Sequence, residues 1–485
     1  MLRRYLGLLL CGGAVACPAD DAGSNTGTET EGADTTGSGG DLDGAAGGDV
    51  LGCAPGMTCT LVLVSQTLDD RIEIFAPGDA NPYRGAIDLD LKPNVCDGCE
   101  LGDYADGRLD EPFGLARAGG FMHVALGHYP TRQSGSLVSF PLTMFDDLAA
   151  GSTLAVSDYF AAGSFLGPVV AHSLDELEPI FVTARGSRLL VGTFNNDLFT
   201  TEDNWTMPGR LLVLDATDPG AAPGVVDLGA MGCNGAAQVV DLGPSSVGVA
   251  CDGNEKIVLL DVGDLDATPL PDVAALVTGT LCEIAGQTAG RRVRYLAGDG
   301  AGGFLVAEGP TPLSLTSGAR LWHFDANCEV QGLVNLSGSG QLGEVEAFPA
   351  DTPTWLVASA GVLDPSQRGV LVVQSLGGTL DVCQTLVGFE SHWPSADGQL
   401  EPFGLAVNAD GSGVAVGAGP FQAPTAGPGY GKVLWGALVG TDNPCTMTAS
   451  VINLTDGAAA PAVLATDAAT FRRAPSVVEL IEIHG

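Results

Sequence analysis

Three glutamates stand immediately before a proline, at Glu111-Pro112, Glu178-Pro179 and Glu401-Pro402. A fourth, Glu346, precedes an alanine, and Asn234 takes a similar place in a further stretch. Carboxylate and amide oxygens are hard ligands of the kind that hold Ca²⁺. Like charges gathered out of water need a counter-ion. These five residues therefore make a candidate metal site, provided that the fold brings them to one place. The competing role is structural: a glutamate before a strand can accept a hydrogen bond from a neighbouring backbone, and proline at a strand start forgoes no ladder bond.

The elements that would position them are short strands. Gly (70) and Pro (29) are abundant in the 485 residues, and Val and Leu dominate the apolar runs. Many short elements divided by turns follow, and the all-β class is the natural reading. The hexapeptide Glu-Pro-Phe-Gly-Leu-Ala occurs twice, at 111–116 and 401–406, and weaker copies open between them. Strand runs recur every ~55–65 residues, the spacing of propeller blades. Seven such units fit between residues 59 and 485, with starts near Leu61, Pro112, Glu178, Cys233, Arg291, Val345 and Glu401. The final run, SVVELIEI at 476–483, reads as a strand that completes the first blade and leaves no free edge. The expectation is a seven-bladed β-propeller of four-stranded antiparallel blades; a pair of β-sandwiches accounts less well for the recurring motif. The innermost strand of each blade lines a central channel, so equivalent positions point at one axis.

The stretch PFGLAVNADGSGVAV at 402–416 resembles the NHL and lactonase-like propeller repeats, and DDRIEIF at 69–75 resembles the outer part of such a repeat. The resemblance implies the propeller fold. It also implies one possible chemistry, since some lactonase-like propellers hold a metal with Glu, Asn and Asp in the channel and hydrolyse sugar lactones. Two functions from different classes follow. One is a binding or scaffold module for an envelope protein, a glycan or a small molecule; the other is a Ca²⁺-dependent, lactonase-like hydrolase. A structural envelope protein is a third. No catalytic residue stands out.

Other motifs are bland. His123, His128, His172, His323, His392 and His484 show no metal-ligand spacing. His123 and His323 fall in apolar strands and read as packed side chains. There is no Gly-x-Ser-x-Gly elbow. Arg291, Arg292 and Arg294 form a small basic cluster, read as ion-pair partners for nearby carboxylates. Gly298 to Gly303 lacks the Lys-Ser/Thr of a phosphate loop.

The chain carries 58 acidic against 20 basic residues, a net charge of −38, so a nucleic-acid partner is not expected. The first 17 residues, MLRRYLGLLLCGGAVAC, have a charged start, a short apolar run and small residues before Cys17. That is an export signal, too short for a membrane span. It resembles a bacterial lipoprotein signal, which implies lipidation at Cys17, an outer-membrane address and contact with the membrane through the lipid alone. Residues 18–52 are rich in Gly, Ser, Thr, Ala and Asp and read as a disordered tether. The domain proper spans 53–485, expected to be a monomer. Its ten cysteines are an even count in an exported chain, hence disulfides. Short-range candidates are Cys53–Cys59, Cys96–Cys99 and Cys233–Cys251; taking the rest in order gives Cys282–Cys328 and Cys383–Cys445.

Overall fold

The computed structural model describes residues 57–66, 71–89, 112–127, 135–148, 151–156, 170–173, 179–194, 207–263, 278–284, 291–310, 318–392, 401–419, 431–456 and 475–484, with Cys53, Tyr159 and Leu265. These residues form seven sheets, six of four strands and one of five, and the helical turns among them are all 3₁₀.

The inner strands are β4 (Pro112–Ala118), β9 (Pro179–Arg185), β13 (Ala236–Gly243), β17 (Arg291–Gly298), β21 (Leu342–Phe348), β25 (Glu401–Val407) and β29 (Pro475–His484). Each packs against the next, and β29 packs against β4. The sheets therefore close into a ring, and the protein is a seven-bladed β-propeller. Blade 1 contains β29, blade 2 begins with β4, and blade 7 begins with β25. The closing strand β29 pairs antiparallel with β1 (Thr58–Gln66), which joins the two ends of the domain. A ring closed in this way leaves only short edges at the channel, protected by the neighbouring blades.

The sequence of each strand reports its radius. Second strands lie between two neighbouring blades and are apolar almost throughout. In β22 (Thr354–Ser359, TWLVAS) and β26 (Gly413–Gly419, GVAVGAG) every residue is buried. Outermost strands alternate, as in β28 (Thr448–Asn453), where exposed and half-buried residues take turns. Such alternation marks one solvated face. Apolar clusters fill the blade contacts: Leu356, Val372, Leu405 and Val416 between blades 6 and 7, and Val64, Phe75, Ala415 and Val433 between blades 7 and 1. Tight turns link the strands. Between β23 (Gly369–Leu376) and β24 (Thr379–Thr385), Gly377 and Gly378 both have positive φ, 59° and 84°, as a two-residue hairpin requires.

One feature was not legible in the sequence. Strand β7 (Ser152–Ala155) follows β6 (Ser136–Pro141) of blade 2, yet it pairs in parallel with β3 (Tyr83–Asp88) and adds a fifth strand to blade 1. Its four residues, STLA, carry no periodic signal.

Four of the expected disulfides are present: Cys53–Cys59, Cys233–Cys251, Cys282–Cys328 and Cys383–Cys445. Cys282 lies in β16 (Thr278–Glu283) of blade 4 and Cys328 in the turn after β19 (Ala319–Phe324) of blade 5, so this bridge staples two blades. Cys383 of β24 and Cys445 before β28 do the same for blades 6 and 7. Cys96 and Cys99 lie outside the described residues.

Candidate functional site at the channel

All seven inner strands carry a register irregularity near their start. Aligned on it, one position is occupied in turn by Leu115, Val182, Val239, Leu296, Val345, Leu405 and Val478, all aliphatic and all buried. This gives a common frame for the ring.

Four positions earlier, the frame holds Gly235, Arg292, Gln341 and Glu401, and Glu111 and Glu178 by sequence. Glu111 and Glu178 lie outside the described residues. Asn234 sits one position further out, bridged to Pro208, and its N–H donates to Asn254 Oδ1 at 3.3 Å. Glu346 is five positions further along its strand than Glu401 is along β25. At a rise of ~3.3 Å per residue, about 16 Å separates their levels. The described residues thus divide the candidate metal ligands between different depths, and none of these residues forms a group of three or more able to hold a metal ion.

Glu401 is fully buried, and neither carboxylate oxygen has a hydrogen-bond partner. Burial pushes its carboxyl up to about 8, partly opposed by the charge of buried Arg368. Glu346 belongs to a second, deeper group with Glu344 and Glu479. Glu346 and Glu479 share one position of the frame, on blades 6 and 1. Burial raises Glu346 to about 8, helped by the Glu479 charge, and raises Glu479 to about 7 against the pull of Arg117. Buried Glu344 is also raised, first by desolvation, and accepts the Leu405 N–H at 2.7 Å.

That last bond belongs to a pattern. The unpaired edge of an inner strand faces the channel, and its polar groups need partners. Gln238 Oε1 accepts the Leu296 N–H at 2.6 Å, as Glu344 does for Leu405 one position before the common aliphatic residue. Thr183 donates to the Val239 carbonyl. In each case the side chain comes from the preceding blade.

The axis itself is closed by aromatic rings. Phe181 of blade 3, Tyr295 of blade 5 and Phe403 of blade 7 meet edge to face, with centroids 5.6 and 5.8 Å apart. These blades are not neighbours, so the rings can meet only across the axis. Phe113 packs against the same cluster. Blade backbones approach closely here: a Cβ on Gly343 would lie 2.2 Å from the Phe403 carbonyl oxygen, and one on Gly114 2.6 Å from the Val182 nitrogen. The phenylalanine and glycine of the repeated hexapeptide are therefore packing residues of the channel.

Beside this plug, between blades 5 and 6, lies a small, half-open pocket lined by Arg292, Arg294, Tyr295, Gly309, Pro310 and Gln341, among others. Arg294 is fixed: Nε and Nη2 donate to Asp252 Oδ2 at 3.1 and 2.7 Å, and its guanidinium lies 5.9 Å from the Phe194 ring centre. Burial raises the Tyr295 phenol, which stays protonated and able to donate. A neighbouring network holds Arg291 and Arg320 on the buried carboxylate of Glu308, which also accepts the indole N–H of Trp322 at 2.7 Å.

No family model matches the chain, and no curated protein matches it. Solved structures do. A putative 6-phosphogluconolactonase from Bacteroides fragilis is 10% identical with a TM-score of 0.48, over 87% of this chain and 98% of its own. One from Bacteroides uniformis is also 10% identical, with a TM-score of 0.49, over 87% and 99%. The WD40 propeller domain of Doa1 is 9% identical, with a TM-score of 0.44, over 76% and 93%. At this distance the neighbours' activities do not transfer, and the propeller is read from its own strand pairing.

His123 and His323 are packed side chains, as expected. His123 is fully buried, with Nδ1 2.8 Å from Ser139 Oγ and Nε2 3.2 Å from the Ala118 carbonyl. His323 lies 2.9 Å from Ser375 Oγ and 3.3 Å from Asp299 Oδ2. Arg291 and Arg294 are ion-paired as expected. What sequence reasoning missed is the role of Tyr295, Gln341 and Arg292 as pocket lining. The only signal was the run RRVRY, a basic patch in an acidic chain.

Proposed function

We propose that this chain is an exported, lipid-anchored propeller that binds a small ligand in the pocket beside its channel plug. Cys17 carries the lipid, and residues 18–52 tether the ring to the outer membrane. The single observation that supports the binding role is the pocket between blades 5 and 6. It is concave and half open, and its wall mixes an aromatic ring with convergent polar groups. The inner strand β17 holds Arg292, Arg294 and Tyr295, and Gln341 stands just before β21. The plug closes the axis, so the ligand enters from the mouth where the inner strands begin.

Gly309 supplies the test. It faces Arg292 across the strand pair, and a Cβ there would meet nothing closer than the Gly340 carbonyl at 3.6 Å. Gly309→Val fills the pocket while leaving the backbone unstrained. Thermal melts of the full chain across a panel of charged and neutral metabolites should give at least one compound that raises the wild-type Tm and leaves G309V unmoved. Hits that shift both proteins alike would place binding elsewhere and defeat the reading.

A further inference from the structure

We propose that the Cys383–Cys445 bridge is a thiol-exchange site, where a small external thiol forms a mixed disulfide with Cys383 while the propeller stays folded. Three observations support it, and none involves the pocket.

The first is presentation. Strand β24 pairs with β23 through Gln384–Val372 and then Val382–Val373, so Cys383 is the extra residue of a β-bulge on the outermost strand of blade 6. A bulge re-aims the side chain that it carries. Cys383 is exposed, and its partner Cys445, in the 3₁₀ turn Pro444–Thr446 of blade 7, is half-buried. In each of the other three bridges among the described residues at least one cysteine is buried, and in Cys233–Cys251 both are. The nearest rival is Cys282–Cys328. Cys328 holds a left-handed backbone, φ 64°, yet Cys282 is buried within its sheet, opposite Ile257. Exchange needs a thiolate to reach one sulfur of the bridge, so access ranks the four and puts Cys383 first.

The second is what holds the seam once the bridge opens. Gln384 Nε2 donates to the carbonyls of Pro444 and Met447 at 2.8 and 3.0 Å. The Ala449 N–H donates to the Val387 carbonyl at 2.9 Å, beside a parallel bridge between Val387 and Thr448. Leu386 and Phe389 share an apolar cluster with Leu438 and Met447 of blade 7. None of these contacts contains sulfur. Blades 6 and 7 therefore stay in register without the bridge, and Cys445 stays within reach of Cys383.

The step balances. An incoming thiolate attacks Cys383 Sγ, a new S–S bond forms there, and the Cys383–Cys445 bond breaks. Cys445 leaves as a thiolate and takes up the proton that the incoming thiol lost. One disulfide replaces another, with no net oxidation. Attack of the Cys445 thiolate on Cys383 Sγ runs the step backwards and expels the thiol.

The third is charge, which bears on the kind of thiol. Segments 376–389 and 440–453 contain no basic residue, and their only charges are Asp381 and Asp442. Both are exposed, and Asp381 lies two residues before Cys383 on β24. In a chain of net charge −38, this surround repels an anionic thiol and attracts a cationic aminothiol.

The test treats the oxidised full chain, under native conditions, with cysteamine or glutathione at matched thiolate concentration. Free thiols are then blocked with N-ethylmaleimide and the peptides mapped by mass spectrometry. The adduct should sit on Cys383 and the block on Cys445, formed about tenfold or more faster than reaction at the other three bridges. Cysteamine should react faster than glutathione, and added salt or Asp381→Asn should narrow the gap. The far-ultraviolet spectrum should not change, and the double variant Cys383→Ser, Cys445→Ser should fold with the same spectrum. Equal rates at all the bridges, an adduct on Cys445 alone, or opening only as the spectrum is lost would each overturn the proposal. So would a double variant that fails to fold, because the bridge would then be a staple that the seam cannot spare.

Discussion

Blades 2 and 7 carry the same hexapeptide, while blades 5 and 6 place different chemistry at the same positions. Where blade 7 has Glu401, Phe403 and Gly404, blade 5 has Arg292, Arg294 and Tyr295, and blade 6 has Gln341, Gly343 and Glu344. Phe403 helps to plug the axis; of the substituted residues, Arg292, Arg294, Tyr295 and Gln341 line the pocket, and Tyr295 joins the plug as well. A repeat advertises what the ring needs in order to close. A binding site is built where one or two blades abandon the repeat, because closure needs only enough copies and a ligand needs asymmetry.

The plug side of this contrast breaks most visibly with Phe181→Ala. Phe181 is 6% exposed and meets Tyr295 edge to face. Truncation should cost about 3–5 kcal/mol in urea unfolding. A cost under about 1 kcal/mol would mean that the axis is not close-packed.

Two glycines sharpen it next. Gly114→Ala drives a Cβ against the backbone of blade 3 and should cost about 1–3 kcal/mol. Gly309→Ala meets only ordinary contacts and should be neutral, or stabilising by up to about 1 kcal/mol. Equal costs at both sites would erase the distinction between plug and pocket.

The buried Glu401 and the half-buried Glu346 and Glu479 give a pH test. The folded values of Glu401 and Glu346, about 8, and of Glu479, about 7, lie above the ordinary 4.5. The folded state holds these protons more tightly than the unfolded chain. Their contribution is therefore complete below pH 4.5 and is lost as pH rises toward 8. His123, lowered to about 4 by burial, acts oppositely: its contribution is complete above pH 6.5 and falls as pH drops toward 4. The Tm should pass through a maximum between these limits. Glu401→Gln, neutral at every pH, should match wild type near pH 5 and exceed it at pH 8.5 by a few kcal/mol at most, at about 1.4 kcal/mol per pKa unit. A difference that does not change with pH would show that Glu401 is ionised throughout.

The fold was legible because its signals are local and repeated. Apolar runs such as TWLVAS and GVAVGAG mark strands held between blades, and SVVELIEI at the end announces the closing strand. The inter-blade bridge Cys282–Cys328 followed from cysteine order alone. The site was harder, because register decides it. Glu346 looked equivalent to Glu401 by its place after a strand start, but the strand pairing makes Gln341 the equivalent residue. One irregularity per inner strand shifts the count, and no composition or period reports it. Nothing in the sequence marks Tyr295, since its partners Phe181 and Phe403 stand 114 and 108 residues away along the chain (295 less 181, 403 less 295).

The smallest expected effect concerns the glutamates that first drew the eye. If the Glu-Pro residues held one Ca²⁺ on the axis, a chelator would remove a ligand that binds only the folded state, and the Tm would fall by several degrees. The frame argues otherwise. Glu346 stands about 16 Å deeper than Glu401, and the aromatic plug lies between their levels. Of the other Glu-Pro residues, Glu111 and Glu178 lie outside the described residues. The charge nearest Glu401 is already a cation, Arg368, and burial keeps its carboxyl toward the neutral form, which binds Ca²⁺ poorly. EDTA should therefore move the Tm by less than about 1 °C. Stoichiometric calcium in the purified chain, lost on Glu111→Ala and Glu401→Ala but kept on Glu346→Ala, would restore a metal at the mouth and shift the centre of function from blades 5 and 6 back to the repeated hexapeptide.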